Sequence, residues 1–197
     1  MHVAGRAAGR HFLQIPGPAN VPDRVLGAIA MPTIDHRGPE FAAIARDVLS
    51  QIRSIFKTEQ PVIIYPSSGT GAWEAALVNT LSPDDRVVMC ETGHFAALWR
   101  DMAERLGVQP EFIPGDWRHG ADPAAIEARL VEDRGRAIKA VCVVHNETST
   151  GVTSRILEIR QAIDRAGHPA LLMVDTISSI DATSGASTSR SAARRRA

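Results

Sequence analysis

Residues 65–74 read Tyr65-Pro66-Ser67-Ser68-Gly69-Thr70-Gly71-Ala72-Trp73-Glu74, and the reading of this stretch decides the fold. Before it, Val62 to Tyr65 is a short apolar, β-branched run that suits a buried strand. After it, Ala72 to Leu81 carries apolar residues at helical spacing. The turn between them, Ser67 to Gly71, is small and polar. Glycine lets backbone N–H groups approach an anion, and a helix start adds unpaired N–H groups and a positive dipole end. The stretch therefore suits a phosphate site. It lacks the Gly-Lys-Ser/Thr ending of the Walker loop and the spaced glycines of the dinucleotide fingerprint. An ordinary strand-to-helix turn rich in small residues would read the same way.

Working outward, strand and helix patterns alternate. Phe41 to Phe56 shows a helical apolar stripe. Strands are expected at Arg86–Cys90, Glu111–Ile113, Ile138–Val144 and Ala170–Val174, and helices at His94–Leu106, after Asp122-Pro123, and at Arg155–Ala166. Asp122 suits an N-cap with proline at the first helical position, and Gly107 and Gly167 suit helix stops. Short apolar strands separated by helices predict an α/β fold: three layers, a mostly parallel sheet with helices on both faces. Ligands of such sheets bind beyond the strands' C-terminal ends. Ser67–Thr70, Thr92–His94, His145–Thr150 and Asp175-Thr176 all fall there. Asp175 ends an apolar strand, where an unpaired charge is costly.

Length and composition set the outer limits. The 197 residues are 44% hydrophobic, enough for one sizeable core. The 22 basic and 22 acidic residues balance, but residues 182–197 hold four arginines and no acid, so the body is mildly acidic. Nothing in that balance calls for nucleic acid, and no apolar stretch is long enough for a membrane span. Cys90 and Cys142 lie in apolar strand-like runs and read as reduced core residues rather than a disulfide. A cytoplasmic location is the expectation. Residues 1–12 read as a mobile leader and residues 13–181 as the folded body. His94 and His145 lack the further cluster that would make them metal ligands, and Glu147 suits a loop-holding role.

Five segments in order carry a resemblance. They are Pro16 to Pro22, Ser67 to Gly71, Glu91-Thr92-Gly93-His94-Phe95, His145-Asn146-Glu147-Thr148-Ser149-Thr150-Gly151-Val152, and Val174 to Ser179. Together they resemble the class V, fold type I, pyridoxal-phosphate aminotransferases, nearest to the serine–glyoxylate and alanine–glyoxylate group. The resemblance runs from about residue 12 to Asp181. It implies pyridoxal 5′-phosphate as cofactor, a small amino acid and glyoxylate or another 2-oxo acid as substrates, and a homodimer. It implies that Ser68, Gly69 and Thr70 bind the phosphate and Phe95 stacks on the ring. Thr148 and Ser178 then lie beside the cofactor, Asp175 meets the pyridine nitrogen, and Gly17 and Pro18 line the substrate pocket. A class V lyase or desulfurase, and a noncatalytic binding or assembly protein, are the competing readings.

The resemblance also implies a lysine that forms a Schiff base with the cofactor, some 25 residues after Asp175. The chain has only Lys57 and Lys139, and neither has the family context. Residues 182–197 are an Arg/Ser/Ala-rich tail with no apolar residue larger than alanine, read as disordered. Permissible codons for it, read in another frame, spell His-Glu-Trp-Gly-Val-Asp-Val-Thr-Val-Gly-Gly-Ser-Gln-Lys-Gly-Leu. That string resembles the family's Schiff-base segment, so the expectation is a frameshift just after Asp181 and a catalytically incomplete chain.

Overall fold

The structure, a computed structural model, describes Ile15 and residues 17–180. The leader and the arginine-rich tail lie outside the described residues. The chain divides into two compact units, Met1–Asp47 and Val48–Ala197. In the first, α1 spans Asp23–Ile29. Pro22 is its N-cap and Asp23 its first residue, where a carboxylate favours the helix dipole. Helix α2, Pro39–Ile55, carries the expected stripe, but none of its residues is buried.

The second unit is a four-stranded, all-parallel sheet. Its elements follow as α3 (Gly69–Thr80), β1 (Arg86–Cys90), α4 (His94–Arg105), β2 (Gln109–Ile113), α5 (Pro123–Glu132), β3 (Ile138–Val144), α6 (Ile156–Arg165) and β4 (Leu171–Asp175). The spatial order is β2-β1-β3-β4. The chain moves from β1 to β2 on one side and then crosses back to β3 on the other. The topological switch point therefore lies between β1 and β3, where doubly wound sheets place their ligands.

Strand alternation builds the three layers. On one face Val87 and Met89 of β1 and Ala140, Cys142 and Val144 of β3 pack with Trp73 and Leu77 of α3 and Trp99 of α4. On the other face Val88, Cys90, Val141 and Val143 pack with Ile126 and Leu130 of α5 and Ile159 and Ile163 of α6. Asp122 caps α5, its Oδ1 accepting the Ala124 N–H at 2.9 Å. Gly107 and Gly167 follow α4 and α6 with φ of 80° and 59°, the left-handed region that favours glycine at a helix end.

Two expectations change. Helix α3 begins at Gly69, so Gly69-Thr70-Gly71 is its first turn rather than a turn before it. Val62–Tyr65 is not a strand. Its residues pair with neither edge strand, and Ile63 and Ile64 are 70% and 54% exposed. A β-branched run becomes a strand only when a neighbour accepts its backbone bonds, and no described residue does so here.

Lys139 sits at the N-terminal end of β3, the edge opposite Asp175. Arg86 pairs with Ile138 and Val87 with Ala140, so Lys139 is bulged out of the ladder and exposed. At that same edge Asp133 is buried, its Oδ2 accepting the Ile138 N–H at 2.7 Å and lying 3.2 Å from His168 Nε2. His168 Nδ1 accepts the Ala170 N–H, so Nε2 is the nitrogen that donates.

Cys90 and Cys142 are free and face opposite layers. Burial pushes both thiols up to about 12, with Asp122 adding to the effect at Cys90 and Cys90 adding to it at Cys142. Thiolate is the reactive form, so neither cysteine should react with an aromatic disulfide reagent at pH 8 in the folded chain. Both should react in denaturant. Fast release of the coloured thiol from the native chain would contradict this packing.

Candidate functional site

The C-terminal edge of the sheet gathers three pieces of chain, and helix α3 is the first. Ser68 stands at its N-cap in extended geometry, φ −91° and ψ 178°, but its side chain makes no capping bond. The first helical bond comes from Ala72 N to Ser68 O, which leaves the Gly69, Thr70 and Gly71 N–H groups open. The turn is tight at Gly71, where a Cβ would stand 2.0 Å from Ser67 Oγ.

The second piece is Asp175 and the turn after it. Asp175 Oδ2 accepts the indole N–H of Trp73 at 3.0 Å, and Oδ1 accepts the Ile177 N–H at 2.8 Å. Trp73 is buried on α3 and stacks on Trp99, with centroids 5.5 Å apart and planes 11° from parallel. A Cβ on Gly69 would touch Ile177, at 3.4 Å from its Cγ1. The start of α3 and the 175–179 turn therefore lie side by side.

The third piece is the loop after β3. Glu147 is fully buried and accepts four hydrogen bonds. Oε1 takes Phe95 N at 3.3 Å, Ser149 N at 3.1 Å and Ser149 Oγ at 2.7 Å, while Oε2 takes Ala96 N at 3.1 Å. Ser149 Oγ in turn accepts the His94 N–H at 3.0 Å. One carboxylate thus ties the start of α4 to this loop, as an anion suits a helix N-terminus. The approach is close at Gly93, where a Cβ would lie 2.5 Å from Glu147 Cγ. Phe95, two residues on, is half-buried at the margin of the core.

The loop also meets the Asp175 turn. Thr148 Oγ1 donates to Ser178 Oγ at 3.1 Å, and Ser178 Oγ donates to Asn146 O at 3.0 Å. His145 is buried, its Nδ1 lies 2.9 Å from Ser179 Oγ, and its N–H donates to Asp175 O. Burial holds its imidazole below the usual value of 6.5.

These contacts place Ser68, Gly69, Thr70, Phe95, Thr148, Asp175 and Ser178 at one sheet edge. Gly17 and Pro18 lie in exposed chain ahead of α1, in the first unit. Among the described residues no cluster of His, Cys, Asp or Glu is set to hold a metal ion. No described helix is long and apolar enough to cross a membrane.

The aminotransferase class-V family pattern matches residues 11–184. The chain belongs to the class-V aminotransferases. It is 48% identical over 178 residues to a serine–glyoxylate aminotransferase of Methylorubrum extorquens, covering 90% of this chain and 44% of that protein. It is 45% identical over 167 residues to an L-aspartate–glyoxylate aminotransferase of Paracoccus denitrificans, covering 84% and 42%. The crystal structure of an alanine–glyoxylate aminotransferase from Nostoc sp. matches with a TM-score of 0.79 at 28% identity, over 91% of this chain and 47% of that one. The chain thus spans less than half the length of these relatives.

Trp73 and Ser149 are among the site residues that sequence reasoning left without a role. A buried indole N–H must find an acceptor, which is a signal in principle. Its acceptor, however, lies 102 residues away. Glu147 shows the loop-holding role expected of it.

Two outcomes follow from this geometry. Glu147→Ala strands three backbone N–H groups, that of Ala96 buried and those of Phe95 and Ser149 part-buried, and should cost about 3 kcal/mol of stability by denaturant unfolding. A loss near zero would show that water replaces the carboxylate freely. His145 should titrate below 6.5 when followed by NMR. Its contribution to stability is therefore complete above 6.5 and is lost as the pH falls below that value.

Proposed function

We propose that this sheet edge holds pyridoxal 5′-phosphate and serves amino transfer from serine or alanine to glyoxylate. The observation that carries the reading is an uncapped helix start and an oriented carboxylate side by side, both attached to α3. The donor chemistry fits the cofactor. Its phosphate suits the open N–H groups of Gly69, Thr70 and Gly71, with the Ser68 and Thr70 hydroxyls beside them. Asp175 suits a protonated ring nitrogen through a charge-assisted bond. Phe95 offers a ring to stack on, and the Thr148–Ser178 pair offers hydroxyls at the cofactor's flank. When bound, the cofactor supplies an electron sink for the amino acid's α-carbon. Glyoxylate appears in the names of the two relatives and the structure described above, and this supports it as acceptor.

The reading assigns no catalytic lysine to these residues. Lys139 stands at the opposite edge of the sheet, and Lys57 lies in the turn after α2. On this proposal the 197-residue chain binds the cofactor without a covalent link and does not transaminate at a useful rate.

The test is titration of the chain with pyridoxal 5′-phosphate and with phosphate-free pyridoxal, followed by borohydride and mass analysis. Saturable binding that needs the phosphate, without a stoichiometric adduct at either lysine, is the expected result. Asp175→Ala should weaken binding by about tenfold or more, the scale of one lost charge-assisted bond. Equal affinity for the two ligands would overturn the phosphate site. Turnover of serine or alanine with glyoxylate at a rate typical of enzymes, about 1 per second or more, would overturn the incomplete-catalyst reading.

A further inference from the structure

Asp175 is half-exposed at the end of an edge strand, where a carboxylate is free to rotate about two bonds. It is held by two donors, one on each oxygen: the Ile177 N–H on Oδ1 and the Trp73 indole N–H on Oδ2. The first bond is local and follows from the turn. The second comes from a different element and fixes the carboxylate plane relative to α3. The indole has little freedom of its own. It is 6% exposed, lies in the core beneath the edge, and is stacked face to face on Trp99. Four residues before it on the same helix stands Gly69, at the open N-terminus.

We propose that Trp73 is a positioning residue that sets the direction of the Asp175 carboxylate toward a ring nitrogen, through its indole N–H bond to Oδ2. The inference rests on the cofactor reading above and adds to it. Helix α3 then fixes both anchors of the ligand, the phosphate through its first turn and the carboxylate through the indole one turn later. A bond to an ion is lost when a carboxylate turns away from its partner, so the indole acts on affinity for the nitrogen and not on affinity for the phosphate. Phenylalanine at position 73 keeps a flat apolar ring for the Trp99 stack and removes only the donor.

The experiment compares pyridoxamine 5′-phosphate with its 1-deaza analogue, which has carbon in place of the ring nitrogen, on the full chain. Neither ligand needs a lysine. Wild type should prefer the nitrogen ligand. Trp73→Phe should erase most of that preference, about tenfold, and leave affinity for the deaza analogue within about twofold. Trp99→Phe, which alters the same stack but leaves the Trp73 N–H in place, should keep the preference. Equal loss of both affinities in Trp73→Phe, or the same loss of preference in Trp99→Phe, would make the role one of packing and overturn the proposal. An unchanged preference in Trp73→Phe would overturn it too. Wild type that binds neither ligand, or both equally, would instead sink the cofactor reading at Asp175. If Trp73→Phe fails to fold, the wild-type indole N–H resonance decides. It should shift with pyridoxamine 5′-phosphate and much less with the deaza analogue, and equal shifts count against the proposal.

Discussion

Parallel pairing makes each strand of the β2-β1-β3-β4 sheet end on the same edge and forces the chain to return by a crossover before the next strand. The site depends on this constraint. Segments 91–93, 145–155 and 175–179 are far apart in sequence, yet each leaves the sheet at that edge. Alternating side chains bury both faces, so the edge is the part of the sheet where polar groups collect. The strand order reverses between β1 and β3, and Glu147 ties the two sides there by accepting N–H groups from the start of α4 while belonging to the loop after β3.

Three carboxylates show how burial sorts structure from binding. Glu147 is fully buried and has four donors on two oxygens, so it is saturated and its work is to hold chain together. Asp133 does the same at the opposite edge for the start of β3. Burial pushes Asp133 up, but the Ile138 and Ala137 N–H groups and His168 outweigh it and hold the group below the usual carboxylate range. Asp175 differs, being half-exposed with one donor on each oxygen. A carboxylate oxygen accepts two hydrogen bonds with ease, so Asp175 is oriented but retains capacity. That combination suits recognition of a cation.

The layers and the edge were legible because their signals are local. Short apolar strand runs, the Asp122-Pro123 helix start and the glycine stops at 107 and 167 each state their own structure within a few residues. The convergence of Thr148, Asp175 and Ser178 was legible one level up, from their clusters following strands, whereas Ser68–Thr70 follow no strand and reach the edge through the start of α3. What failed was information held elsewhere in the chain. Val62–Tyr65 has strand composition, but a strand is defined by its neighbour, and the described residues provide none. The Trp73–Asp175 bond is hidden for a similar reason, since the indole announces a need for an acceptor without saying which.

The placement of α3 also separates holding a ligand from acting on it. Its open first turn and the indole one turn later are fixed by one continuous helix, whose inner face is locked into the core by Trp73 and Leu77. Anchors built on a helix shift little, because moving either one means moving the core packing with it. An amine that must attack, release and carry a proton needs the opposite property, a mobile side chain reaching into the site. Lys139 is bulged out at the far edge of a closely packed sheet, and no ordinary side-chain motion carries it across the length of β3. On the proposed reading, the residues around α3 therefore form a cradle, and Lys139 is not its mobile base.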